Sequence, residues 1–454
     1  MESKKSSFIG LVPFIIFILV YLGSGIYFQS QGVEMAFYQL PAPVAIFIGI
    51  IFAFLLFKGS ITHKFDSFLK GCGEENIIIM CIIYLLAGAF AGVSKAMGGV
   101  DATVNFGLTY IPTQFISAGV FVIAAFIATA TGTSVGAIVA LGPIAIGLAE
   151  KSGIAMPIVL AALMGGAMFG DNLSVISDTT IAATRTQGVE MRDKFRVNLT
   201  LALPAAIITI ILLLIFGRPE VVPAAQEYSY SIIKVLPYIL VLGLSLVGIN
   251  VFVVLTLGIL VSGVIGFAYG EFTLLKYAQE IYGGFTGMTE IFLLSLLTGG
   301  LAVMVREAGG IDWLIEKIQK FITGKKSAIL GVGLLVGFID MAVANNTVAI
   351  IISGPIAKKI SNKYQIDPRK TATALDVFSC IAQGAIPYGA QMLILLGFTQ
   401  GAVSFLDVFP LLWYQGLLLI LSILSFFIPF ADYYINKHPW DWSCLLYTSD
   451  AADD

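Results

Sequence analysis

The sequence predicts an all-α polytopic membrane protein built of two inverted-topology repeats, each with a re-entrant helical hairpin and a discontinuous helix. Three observations predict this: the apolar content, an ordered internal similarity, and the opposite charge of the matching loops. Of 454 residues, 58% are apolar and only 12% charged, and mean hydropathy is +0.94. Soluble domains carry about 25% charged residues. A bilayer core is spanned by about 20 apolar residues, and the runs here suffice for about ten crossings, leaving little chain for a soluble domain.

The same composition excludes other classes. Lys plus Arg number 25 against 28 Asp plus Glu, a net charge of -3, so the basic surface that nucleic acid requires is missing. Cys72, Cys81, Cys380 and Cys444 are scattered without metal-ligand or disulfide spacing and read as small core residues. His63 and His438 fall in polar stretches outside the apolar runs, which argues against an intramembrane metalloprotease or serine hydrolase. Gly132-Thr133-Ser134-Val135-Gly136 spells G-x-S-x-G, but a nucleophile elbow needs a strand-to-helix turn and a His partner. The chain does not read as an enzyme.

Hydropathy places candidate spans at 8–28, 42–57, 76–94, 114–130, 135–149, 154–170, 197–217, 232–249, 250–269, 287–304, 328–343, 347–357, 371–387 and 405–430. The first is too long for a signal-peptide core and no A-x-A site follows it, so it reads as a helix. Lys and Arg accumulate on the cytoplasmic side. Lys4 and Lys5, the 58–70 loop, and the 185–196 loop with Arg185, Arg192, Lys194 and Arg196 therefore read as cytoplasmic, as do 305–327 and 358–370. The segments 98–112, 150–153, 218–231 and 271–286 carry at most one basic residue each and read as external. A multi-pass cell-membrane protein with a cytoplasmic N-terminus is expected.

Self-similarity appears at a separation of about 211 residues. Lys95-Ala96-Met97-Gly98-Gly99-Val100-Asp101 returns as Arg306-Glu307-Ala308-Gly309-Gly310-Ile311-Asp312, Gly142-Pro143-Ile144-Ala145 as Gly354-Pro355-Ile356-Ala357, and Met156-Pro157 as Asp367-Pro368. The matching loops have opposite charge, so the repeats are expected to be inverted in the bilayer, as in secondary transporters whose sites lie where the repeats meet. This divides the chain into 1–217 and 218–442. The tail 443–454 resembles a translated adapter read-through and is left out of the fold.

Two interruptions recur in each repeat. The first is a tip: Thr129-Ala130-Thr131-Gly132-Thr133-Ser134 in one repeat, Ala344-Asn345-Asn346-Thr347 in the other. Arms nearer 15 than 20 residues favour a re-entrant hairpin over two full crossings. A non-helical tip at that depth must line a protected cavity, and its hydroxyl, amide and carbonyl oxygens suit Na⁺. The second is a break, Gly165 to Thr180 in the first repeat and Gln383 to Gln391 in the second. It sets Asp171 and Asp178 within apolar sequence, where a carboxylate is costly and functional by default. Removal from water favours the neutral acid and a bound cation favours the charged form, so one carboxylate can trade a proton for Na⁺. Asp340 and Asp376 are further candidates, with hydrogen-bonded packing as their alternative role. Gln383, Gln391 and Tyr388 could hold a neutral or organic cargo. No Lys or Arg is evident inside the membrane to meet a carboxylate.

Phe169-Gly170-Asp171-Asn172-x-Ser174-x-x-Ser177-Asp178-Thr179-Thr180 resembles the F-G-D-x-x-S-P-x-S-D-T-T signature of the NhaC-type Na⁺/H⁺ antiporter family, with Val175 in place of Pro. Asn345-Asn346-Thr347 before Gly354-Pro355-Ile356 is similar to the S-N-T sodium motif of the wider ion transporter superfamily, and Thr131-Gly132-Thr133 is a weaker version. The resemblance runs from about 75 to 430. It implies two inverted repeats with a hairpin and a broken helix each, and a homodimer as one assembly. It also implies a sodium site near Asp171, Asp178, Asn345, Asn346 and Thr347, with Thr131, Thr133, Ser134, Asn172, Ser174, Ser177 and Thr179 contributing. Na⁺ and H⁺ would be cargo and no cofactor is expected. Partners are then the lipid bilayer and small ions. The family also includes carriers of organic anions or amino acids, so a Na⁺- or H⁺-coupled carrier of an amino acid or small carboxylate is the alternative to a Na⁺/H⁺ antiporter. A channel would need an open pore lined by polar rings, which two separate interruptions do not make.

Overall fold

The computed structural model describes residues 6–31, 33, 39–174, 177–219, 229–247 and 249–442. Lys4, Lys5, Val175 and the 443–454 tail lie outside them. Every regular element described is helical. The first half holds α1 (Val12–Ser30), α2 (Ala42–Leu56), α3 (Ile61–Cys72), α4 (Glu75–Ala96), α5 (Gly99–Tyr110), α6 (Ile116–Thr131), α7 (Ser134–Ser152), α8 (Met156–Leu173), α9 (Asp178–Gln187) and α10 (Met191–Phe216). The second holds α11 (Ile232–Leu246), α12 (Val251–Ala268), α13 (Leu274–Gly287), α14 (Thr289–Glu307), α15 (Gly310–Phe321), α16 (Lys325–Val343), α17 (Asn346–Tyr364), α18 (Pro368–Ala385), α19 (Ala390–Gly397), α20 (Phe405–Val408), α21 (Trp413–Phe427) and α22 (Tyr433–Lys437). Among the described residues, nine helices are long and apolar enough to cross a membrane by length and composition. A bent pair at 405–427 makes a tenth. The chain is a multi-pass membrane protein.

The halves match in local detail. Gly98 and Gly309, ending α4 and α14, take φ of 80° and 81°, a left-handed turn that glycine adopts without strain. Pro143 lies inside α7 and Pro355 inside α17. Pro157 and Pro368 stand in the opening turns of α8 and α18, where a missing N–H costs nothing. At the tips, Gly132 and Ala344 both end a helix in the left-handed region, φ 70° and 52°, and the next residue caps the following helix. Thr133 accepts from the Gly136 N–H at 3.4 Å and Asn345 from the Val348 N–H at 3.0 Å, caps worth about 1 kcal/mol each.

Several sequence expectations are corrected here. Segments 58–70, 98–112, 271–286 and 305–327 are not plain loops. They contain α3, α5, α13 and α15, whose polar residues dilute the hydropathy average while the helical period persists. The tip arms are longer than expected: 19-residue spans Thr113–Thr131, Ser134–Ser152 and Lys325–Val343, and 19 residues in α17. Arm length therefore does not separate a hairpin from two crossings. The glycines Gly165, Gly166 and Gly170 lie within α8 rather than in a break. Their role is close approach. A Cβ at Gly166 would stand 2.1 Å from the Phe121 carbonyl oxygen, and one at Gly170 2.2 Å from that of Ala125, so α6 and α8 meet through a small-x-x-x-small face.

The first helices of each half pack on the other half. Helix α3 crosses α14, with a Cβ at Gly71 falling 2.3 Å from the Gly299 carbonyl oxygen. Helix α13 crosses α4, with one at Gly88 falling 2.2 Å from that of Gly284. Thus segments 1–217 and 218–442 share these local features, and each carries part of the other's packing.

Candidate functional site

Helix α8 stops at Leu173 and α9 begins at Asp178, and α18 stops at Ala385 before α19 begins at Ala390. These two interruptions face the two tips, and between them sits a buried polar network.

Asp171, 5% exposed, lies in the last turn of α8. Its Oδ2 accepts from Ser134 Oγ at 2.7 Å and from the Ser134 N–H at 3.2 Å, at the start of α7. Its Oδ1 accepts from Ser177 Oγ at 2.5 Å, and Ser177 meets Thr179 Oγ1 at 2.9 Å. The first tip and the first break thus converge on one carboxylate. Ser174, on the same break, donates to the Thr129 carbonyl at 2.8 Å, tying the break to the arm of the tip.

From Ser134 the network crosses to the second half. Gln391 Nε2 donates to Ser134 Oγ at 3.0 Å, and Gln383 Nε2 donates to Gln391 Oε1 at 2.8 Å. Gln383 also reaches the Ala344 carbonyl at the second tip, at 3.5 Å. The Tyr388 hydroxyl donates to the Met341 carbonyl at 2.8 Å. Gln383 is third from the end of α18, as Asp171 is third from the end of α8, so one break carries a carboxylate and the other an amide. Asp340, fully buried, has neither carboxylate oxygen hydrogen bonded to a described atom.

The remaining expected residues divide. Thr131 Oγ1 lies 3.4 Å from the Thr133 carbonyl. The side-chain oxygens of Asn345 and Asn346 accept from the backbone N–H groups of Val348 and Thr347. Thr347 is half-buried beside them. The contacts joining this tip to Asp171 run through Gln383 and Gln391. Asp178 is exposed at the first position of α9, where a carboxylate complements the helix N-terminus. None of the hydrogen bonds described at Asp171 reaches it.

Lys194 was not legible as a site residue. It reads in sequence as one of several basic loop residues, yet it lies in α10, 1% exposed. Its ammonium donates to the Asn172 carbonyl at 2.8 Å, to Thr180 Oγ1 at 2.9 Å, and to Asp376 Oδ2 of the second half. Asn172 also reaches Asp376, at 3.3 Å, and Asn198 donates to the Asn172 side chain at 2.6 Å. The expectation that Lys194 is a basic loop residue is therefore corrected: it is a buried helical partner of Asp376. The usable signal was helical spacing: Lys194, Asn198, Leu201, Ala202 and Ala205 share the buried face, while Arg192 and Arg196 are exposed.

Two open cavities lie at matching places. One, about 450 Å³, is lined by Lys95, Glu150, Glu280 and Phe398 at the end of α4. The other, about 470 Å³, is lined by His63, Lys64, Met304 and Glu307 at the end of α14.

The model of the Na⁺/H⁺ antiporter family matches residues 4–218 and 221–427. The chain belongs to this family. The Bacillus subtilis malate-2H⁺/Na⁺-lactate antiporter is 23% identical over 420 residues, covering 86% of this chain and 89% of the relative. The NhaC Na⁺/H⁺ antiporter of Alkalihalophilus pseudofirmus is 23% identical over 343 residues, 68% and 73% of the two chains. The Halobacterium salinarum arginine/ornithine antiporter ArcD is 23% identical over 398 residues, 77% and 80%. This chain is accordingly a secondary antiporter of the membrane, not an enzyme.

Proposed function

We propose that the chain exchanges Na⁺ for protons by alternating access, with the two ions competing for Asp171. The observation that carries this reading is the convergence of Ser134 and Ser177 on the two oxygens of one buried carboxylate. Serine hydroxyls both donate and accept. They hydrogen bond the empty carboxylate, and by rotating they turn lone pairs toward a Na⁺ that the carboxylate neutralises. A proton on Asp171 removes the charge that holds the cation, so either ion displaces the other. The repeats lie inverted in the bilayer with the N-terminus cytoplasmic, as the loop charges indicate, and the two matched cavities are their entrances from opposite sides. Both tips reach the site, the second through Gln383 and Gln391.

A second reading, coupled transport of an organic solute, is favoured by three buried polar residues. The Tyr414 hydroxyl, both ends of the Gln415 amide and Gln383 Oε1 are buried with no hydrogen-bond partner among the described atoms, and such groups could hold a polar cargo. Relatives named for malate and lactate or for arginine and ornithine fit that reading.

Proteoliposomes separate the two. A Na⁺ gradient alone should drive proton movement in the wild type, and Asp171→Asn should abolish it. Proton movement that needs an added carboxylate or amino acid would favour the second reading, and full coupling in Asp171→Asn would remove the site assignment.

A further inference from the structure

The ion pair at Lys194 holds a second cation-binding arrangement whose cation is part of the chain. The Lys194 ammonium is enclosed by three oxygens of different kinds: the Asp376 carboxylate, the Asn172 backbone carbonyl and the Thr180 hydroxyl. All three N–H donors of the ammonium are thereby used. This is the donor chemistry that holds a hard cation such as Na⁺, and none of these oxygens belongs to the set around Asp171. Asp376 is fully buried and its other oxygen, Oδ1, has no hydrogen-bond partner among the described atoms. The Asn172 carbonyl can accept from Lys194 because α8 ends at Leu173, leaving the last carbonyls of that helix without helical partners; it also accepts from Asn198 Nδ2 at 2.8 Å. The two charges come from different halves, Lys194 from α10 and Asp376 from α18.

We propose that Asp376, Asn172 and Thr180 form a second cation site and that the Lys194 ammonium is the cation tethered in it. The site is filled in every state of the cycle by a charge that cannot leave. Asp376 therefore takes no Na⁺ from solution, and the exchangeable charge is confined to Asp171. This rests on the reading that Asp171 binds Na⁺. It adds that the number of sodium ions bound is limited by a lysine on a neighbouring helix, and that replacing the lysine opens a further site for a free monovalent cation.

The test counts sodium. Radiolabelled Na⁺ bound at saturation is measured on the purified full chain, together with the Na⁺-dependent shift in melting temperature. Lys194→Met should bind one more sodium per chain than the wild type and gain a larger stabilisation by Na⁺. Lys194→Met combined with Asp376→Asn should return to the wild-type count. Lys194→Met at the wild-type count would overturn the proposal. Where Lys194→Met yields no folded protein, Lys194→Gln, which keeps a donor beside Asp376 but not the charge, carries the same two outcomes. A wild type that binds no sodium while the lysine variant binds one would overturn the assignment at Asp171 and leave the tethered cation standing.

Discussion

At the scale of single residues, the two carboxylates differ in what surrounds them. Asp171 is met by small hydroxyls that can turn, and Asp376 by an ammonium that cannot leave. Ser134→Ala removes an oxygen that Na⁺ gains when the hydroxyl turns from the carboxylate, and a loss of about 1.4 kcal/mol of binding there is a roughly tenfold weaker apparent Na⁺ affinity. The Na⁺ dependence of exchange checks it, and unchanged affinity would show that Ser134 only packs. Asp171 and Ser134 were legible because a polar residue inside an apolar run stands out. Lys194 was hidden because a hydropathy average places it at the edge of a span among Arg192 and Arg196, and only the helical face separates them. Asp178 shows the converse: it shares a motif with Asp171, yet it is exposed while Asp171 is buried.

At the scale of elements, the tips are held by caps and the helices by close glycine contacts. The α4–α13 crossing depends on Gly88, where any side chain would meet the Gly284 carbonyl. Gly88→Val should cost about 1–3 kcal/mol, the usual penalty of forcing atoms into a packed interface, and lower the melting temperature. Gly283→Val, on α13 with open space around it, is the control with the same change in helix propensity. Equal melting temperatures for the two variants would contradict this packing account. The apolar helices, tips and breaks could be read from hydropathy and from glycine and proline positions. The amphipathic helices α3, α5, α13 and α15 could not, because their charged residues lower the average that marks a span. The glycines of α8 were misplaced for a related reason: in sequence, a glycine used for close approach looks like one that ends a helix.

At the scale of the whole molecule, α3 packs on α14 and α13 on α4, so each half carries a helix that packs on the other. Residues 1–217 expressed alone should fail to accumulate in the membrane, and co-expression with 218–442 should restore both, as read by co-purification of the two pieces. A first half that is stable by itself would contradict the exchanged packing. The same exchange and the chain from Ser134 through Gln391 to Gln383 make the site a product of both halves, although the carboxylate proposed to carry exchange lies in one. The most direct measurement of that claim is proton release from the purified protein in weakly buffered solution when Na⁺ is added. At a pH low enough for the sodium-free Asp171 to carry its proton, competition there predicts one proton released for each sodium bound, and none from Asp171→Asn; sodium binding without proton release in the wild type at that pH, or undiminished release from Asp171→Asn, would contradict it.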